Sequence, residues 1–227
     1  MLEYTKWRKM LMIGIIGSFI TTVLGDMPIG WVIYPETGNK LLNLALGCGN
    51  LTVLQMACGL FFGAVFIPLQ YYGVKAIAEI ISKTEHINCA KIIEAGAKAY
   101  AFIGGTVHVL CVAVMFLCSI ENVAGFTQIP HSVMDFSKYL ILPVTTVFIF
   151  FYISMCIAIA VPILIGKTFL PKWAVIFNPL TGKILLNALA MFGLNTEFFN
   201  AIRMGNMGVG ALMTFAAFYA LLSRAST

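Results

Sequence analysis

Charge is what this chain has least of. Only 10% of its 227 residues are Asp, Glu, Lys or Arg, where ordinary soluble domains carry about 25%. Polar stretches are equally scarce: the longest, about Lys75 to Lys98, leaves no room for a separate soluble domain. With 60% of the residues hydrophobic, a soluble fold of this size could not bury its apolar surface and still coat itself in polar groups. Lipid must supply the remaining solvent. The apolar runs are long and apolar on every side rather than short and alternating, which excludes a β-barrel. G-x-S-x-G, H-E-x-x-H, Walker-type glycine loops and aspartate-rich metal motifs are all missing, so the common phosphate-handling and metalloprotease chemistries have no foothold.

Cysteine pairing signals are missing too. Cys48, Cys58, Cys89, Cys111, Cys118 and Cys156 form no C-x-x-C, and five of the six lie in apolar runs, where the thiol acts as a small hydrophobe. No disulfide framework, metal site or cofactor is expected. The formal charge of +5 comes from Lys and Arg flanking apolar runs, without a basic groove of interleaved aromatics, so nucleic acid is not an expected partner.

What is present is a series of runs near the roughly 20 residues a helix needs to cross the hydrocarbon. They cover Met10 to Tyr34, Leu44 to Tyr72, Ala97 to Ile120, Tyr139 to Ile165, a weaker stretch within Trp173 to Leu194, and Met207 to Leu222. The expected fold is all-α: a polytopic bundle of six transmembrane helices forming a single transmembrane domain over residues 1–227, multi-pass in the cell membrane. With the N-terminus inside, ten basic residues (Lys6, Arg8, Lys9, Lys75, Lys83, Lys91, Lys98, Lys167, Lys172, Arg224) fall on the cytoplasmic side and three (Lys40, Lys138, Arg203) outside. The positive-inside rule then puts both termini in the cytoplasm. No small-residue cleavage site follows the first run, which reads as an uncleaved helix. The acid–base alternation of Lys75–Lys98 reads as helix ends protruding into water. No internal repeat is visible, which counts against a transporter of inverted halves.

Ionisable groups inside apolar runs are costly and mark functional positions. Asp26 lies about 24 Å along the first helix from Met10. Gly14, Ser18, Thr22 and Asp26 recur at steps of four, which stacks them on one face. His108 sits mid-span in the third run, one turn after Gly104–Gly105, and its imidazole suits proton exchange near neutral pH. Asn50 and Asn206 fall in the outer half and Tyr152 near mid-depth, so the polar groups converge on similar depths. Asp26 and His108 are the expected catalytic acid–base residues; Asn50, Tyr152 and Asn206 are the expected substrate-orienting ones. The expected partners are the bilayer and a small lipophilic or amphiphilic ligand.

Other signals read more plainly. Gly59-x-x-x-Gly63 suits close helix packing. His131 and Asp135, one turn apart, belong to a solvated outer loop. In the fifth run, Pro171, Asn178, Pro179, Gly182 and Lys183 interrupt the pattern. The expectation is that Phe169–Pro179 lies at the cytoplasmic interface, with Lys183 snorkelling from the start of a tilted helix. The alternative is a broken helix lining a cavity, as transporters use.

Leu24-Gly25-Asp26 through Gly30-Trp31, with Gly205-Asn206-Met207-Gly208 before an apolar last helix, resembles an uncharacterised family of bacterial multi-pass membrane proteins of similar length. The resemblance covers most of the chain and brings no function with it. It adds weight to Asp26 and Asn206 only. The functional expectation is therefore an intramembrane pocket that binds, and processes by acid–base chemistry, a small amphiphile. A proton-coupled transporter and a structural subunit are the alternatives.

Overall fold

The computed structural model describes residues 2–122, 126–166, 168–189, 192 and 194–225, without the side chains of Leu2, Arg224 and Ala225. Lys167 and the Arg224 side chain, both counted on the basic side, lie outside the described residues, as do Ala190, Met191 and Gly193 of the fifth run. The described elements are helices: α1 (Glu3–Gly30), α2 (Lys40–Gly49), α3 (Val53–Ser82), α4 (Ile87–Asn122), α5 (His131–Ile165), α6 (Pro179–Leu189), α7 (Glu197–Met204) and α8 (Asn206–Ala225). Among them α1, α3, α4, α5 and α8 are long and apolar enough to cross a membrane. The 28 residues of α1, for instance, reach about 42 Å, beyond the roughly 30 Å of hydrocarbon.

Local sequence explains where the elements break. The second apolar run divides between Gly49 and Val53. Thr52 accepts from the Gln55 backbone N–H while Gln55 accepts from that of Thr52, a capping box that starts α3 afresh. The Gln55 amide also donates to the carbonyls of Pro28 and Trp31, clasping the end of α1. Within α3, regular winding lapses at residues 67–69 around Pro68. The polar stretch Lys75–Lys98 is helical on both sides of a tight turn, since α3 runs to Ser82 and α4 starts at Ile87.

Long helices pack closely because glycines remove the side chain at the contact. A β-carbon on Gly14 would lie 2.7 Å from the Cα of Gly73, with the Phe215 ring at 3.0 Å, and so α1 is pressed between α3 and α8. Gly96 meets Met155 and Gly104 meets Phe148, setting α4 against α5. The end carrying the N-terminus is tied by Lys6 to Glu79 at 2.8 Å, Trp7 to Glu79 at 3.0 Å, and Arg8 to the Tyr219 hydroxyl at 3.1 Å. The last of these places the C-terminal half of α8 beside the start of α1, so α1 and α8 run antiparallel. Outward faces carry Phe19, Phe61, Phe102, Phe150 and Ile157, all exposed, a surface suited to lipid chains.

The fifth run is interrupted where its Pro and Gly residues stand. Gly166, with a left-handed φ of +77°, stops α5. The chain then doubles back through a 3-10 turn at Lys172–Phe177. Asn178 donates to the carbonyl of Cys156 at 2.8 Å, nine residues before the end of α5 and so about 13 Å back along that helix. Only there does α6 start, with Asn178 capping Leu180 N–H at 3.0 Å. At 11 residues α6 extends about 16 Å, half a span, and α7 carries the chain on to pack against the far end of α1. The passage is thus made in pieces. The Lys183 side chain is half-buried, its Nζ 3.9 Å from Met207 Sδ.

Candidate functional site

Two apolar clusters fill the bundle. One includes Trp7, Leu11, Ile77, Ile93, Ile159 and Phe215; the other, toward the far end, includes Ile29, Val32, Met56, Met115 and Cys118. A cavity of about 660 Å³ lies against both, bordered by residues of all eight helices, within the 300–1,000 Å³ of ordinary small-molecule sites. Most of its wall is apolar. Its polar groups include Thr21, Asp26, Gln70, Tyr100, His108, Lys183, Arg203 and Asn206.

Helix winding changes where the wall is built. Thr21–Asp26 in α1, Tyr100–Gly104 in α4 and Ser137–Ile141 in α5 wind as π turns, and each contributes wall residues. Inserting a residue into the α pattern rotates everything after it by about 100°, since a turn holds 3.6 residues, and π turns concentrate at functional sites. In α1 the π turn lets Thr21 and Thr22 both face inward, at 2% and 6% exposure. Thr21 borders the cavity while Thr22 meets Gly208 of α8.

Asp26 ends that π turn and is brought to His108: Oδ1 lies 3.5 Å from Nδ1. On its other side, His108 Nε2 lies 2.8 Å from the carbonyl oxygen of Gly59. A carbonyl can only accept, so Nε2 carries a hydrogen and Nδ1 is the nitrogen left to exchange one. Gly59 and Gly63, the pair that spacing alone assigned to packing, form this seat. A β-carbon on Gly63 would collide with the imidazole, and one on Gly59 with Ile29. Asp26 also nears α8, its Oδ2 3.6 Å from where a Gly208 β-carbon would be.

The other expected site residues separate. Asn206 borders the cavity and donates its amide to the Arg203 carbonyl at 2.7 Å. Tyr152 stands behind the wall, buried and stacked in a trio with Tyr100 and Phe148, of which the latter two reach the cavity. Asn50 lies apart: it is exposed at the end of α2 and accepts from Asn122 at 3.2 Å, because the capping box at Thr52 ends the run there. His131 and Asp135 fall within α5, not in a loop.

Two wall residues, Gln70 and Arg203, had no site reading from sequence, and Lys183 had one only in the alternative of a broken helix lining a cavity. Gln70 is 1% exposed and neither its amide nitrogen nor its oxygen has a partner among the described residues. Its position two residues after Pro68 was the available signal. Lys183 and Arg203 reach the wall from α6 and α7. A lysine inside hydrocarbon costs about 2.5–3.5 kcal/mol on insertion scales, so one among spans faces a partner or a wet space. On the cavity wall, Tyr34 packs on Gly47 under the Arg203 guanidinium. Among the described residues no three His, Cys, Asp or Glu side chains converge as a metal site would require.

Together these features define an all-α bundle, with five helices long and apolar enough to cross a membrane, around a cavity with a carboxyl–imidazole pair on its wall. Residues 2–225 match DUF6796, a family of unknown function, and the chain belongs to that family. No curated protein and no solved structure matches it. The two glycine motifs of the resemblance meet in space: Gly30 abuts Ala201 and Asn200, while Gly205 and Gly208 abut Thr22 beside Asp26.

Proposed function

We propose that this protein sits in the cell membrane with both termini cytoplasmic, binds a small amphiphilic molecule in its cavity, and exchanges a proton with it through Asp26 and His108. One observation carries the reading: the 3.5 Å approach of Asp26 to His108 on the cavity wall. With Nε2 committed to Gly59, the pair shares a single exchangeable proton between Nδ1 and the carboxyl group. A neutral pair and an ion pair differ only in where that proton sits, and a group bound against either atom can take or return it. Apolar walls fit the ligand's chain; Asn206 and Gln70 fit its polar atoms. The orientation follows from the basic residues at the terminal end.

Comparative mass spectrometry of lipids and metabolites tests this. Membranes holding wild type are compared with membranes holding equal folded amounts of the Asp26→Asn plus His108→Ala variant. A species consumed or formed only by wild type is the expected result. Identical profiles, with no ligand co-purifying selectively with wild type, would overturn it.

A second reading, a carrier, is favoured by the broken fifth passage, since helices interrupted at membrane depth line transport sites. It expects flux of the ligand into proteoliposomes that responds to a pH gradient, with no chemical change.

A further inference from the structure

We infer that the ligand of this cavity is an anionic amphiphile, with a carboxylate or phosphate head held between Lys183 and Arg203. This rests on the cavity reading above and adds the chemistry of the head. The argument begins from charge balance on the wall. Among the described residues its one carboxyl group, Asp26, lies against His108. Its two side-chain cations have no carboxylate within ion-pair distance among the described residues. Among the described residues the hydrogen-bond partner of Lys183 Nζ is the Met207 sulfur at 3.9 Å, a weak acceptor. The Arg203 guanidinium lies over the Tyr34 ring at 6.0 Å.

Both cations border the cavity. Arg203 belongs to the last turn of α7, Met207 to the first turn of α8, and Asn206 joins them through its bond to the Arg203 carbonyl. Lys183 reaches the wall from α6, whose Gly182 lies so close to Gly210 that a β-carbon would collide with it, and its Nζ meets Met207, the residue after Asn206. An anionic head in the cavity gives these wall cations a counter-charge and charge-assisted bonds, while the apolar wall formed by Leu44, Val107, Met115, Ile141 and Phe148 takes a chain. A neutral or cationic head would leave both cations uncompensated in a largely apolar cavity.

The test uses full-length protein in nanodiscs of phosphatidylcholine, which adds no net lipid charge. Binding of radiolabelled dodecanoate is measured against dodecanol, dodecyl phosphate and inorganic phosphate as competitors, with empty discs subtracted and labelled dodecanol bound in parallel. Wild type is expected to prefer dodecanoate or dodecyl phosphate over dodecanol by at least about tenfold, the least that a charge-assisted bond supplies. Lys183→Met and Arg203→Gln are each expected to lose most of that preference, while Lys183→Arg keeps it and shows that the site tolerates substitution. Whichever of the two chains competes better names the head as carboxylate or phosphate. Equal binding of dodecanoate and dodecanol would overturn the inference and leave the cavity reading standing. Displacement by inorganic phosphate alone, as strongly as by dodecyl phosphate, would overturn the amphiphile in favour of a free anion. An anion preference that survives in both Lys183→Met and Arg203→Gln would overturn the assignment to these residues. Failure of both chains to bind would overturn the cavity reading itself.

Discussion

The imidazole of His108 occupies the space that a side chain at Gly63 would fill, on a helix whose Gly59 carbonyl also fixes its ring. A glycine pair that spacing assigns to helix packing thus serves to position a histidine. The ring is held on one edge and left free to meet Asp26 on the other.

Gly63→Ala is expected to destabilise the protein by about 1–3 kcal/mol, the usual cost of overpacking. His108→Ala in the same chain should recover most of that loss, because the colliding atoms are gone. Unfolding monitored with a thiol-reactive dye reads this directly, since Cys48, Cys118 and Cys156 are buried and free. Strict additivity of the two substitutions would refute the seat.

Asn178 has two jobs that substitution can separate. Its amide nitrogen satisfies the Cys156 carbonyl, and its oxygen caps α6. Asn178→Asp keeps the cap and loses the donor; Asn178→Ala loses both. Cap loss costs about 0.5–2 kcal/mol and an unpaired buried carbonyl about 1–3 kcal/mol. Asn178→Ala should therefore be the more destabilised variant in denaturant titrations. Equal stability of Asn178→Ala and wild type would mean that the doubled-back segment is not held at this point.

Gly30 lies against backbone, which cannot yield as a side chain can: a β-carbon there would be 2.8 Å from the Cα of Ala201 and 2.9 Å from the carbonyl oxygen of Asn200. Gly30→Ala should push α7 off α1 and weaken the Trp31–Glu197 hydrogen bond, now 2.9 Å. Since Arg203 rides on α7, loss of anion preference should accompany a stability loss of about 1–3 kcal/mol. A Gly30→Ala protein with wild-type binding would show α7 to be placed by other contacts.

Particular residues show what the sequence made legible and what it did not. Apolar run lengths gave six spans, five of which fall on the long apolar helices, because hydrocarbon thickness constrains length directly. The scarcity of ionisable groups singled out Asp26 and His108. That they meet was not legible, since spacing along separate helices does not fix their relative rotation, and the π turn at Thr21–Asp26 changes it again. Asn50 was assigned to the same depth as the others, although the T-x-x-Q of Thr52 and Gln55 was a readable helix start. That Lys183 borders the cavity was not legible, because one sequence cannot show that Gly182 packs against Gly210.

The proton shared by Asp26 and His108 is open to a last prediction. Asp26→Asn keeps the shape and supplies an amide that cannot exchange the proton, so the fold should survive while wild-type-dependent chemistry falls by about 10²–10⁴-fold, the range for positioned acid–base groups. His108→Gln offers a sharper comparison, because a glutamine amide can still donate to the Gly59 carbonyl yet has no titrating nitrogen for Asp26. If His108 were only a link between α3 and α4, His108→Gln would keep both stability and activity. If the proton is the point, His108→Gln should retain its unfolding midpoint and lose activity as fully as Asp26→Asn, and combining the two should cost little more than either alone. Turnover of the species found by mass spectrometry, measured beside thermal unfolding for the three variants, decides between these outcomes.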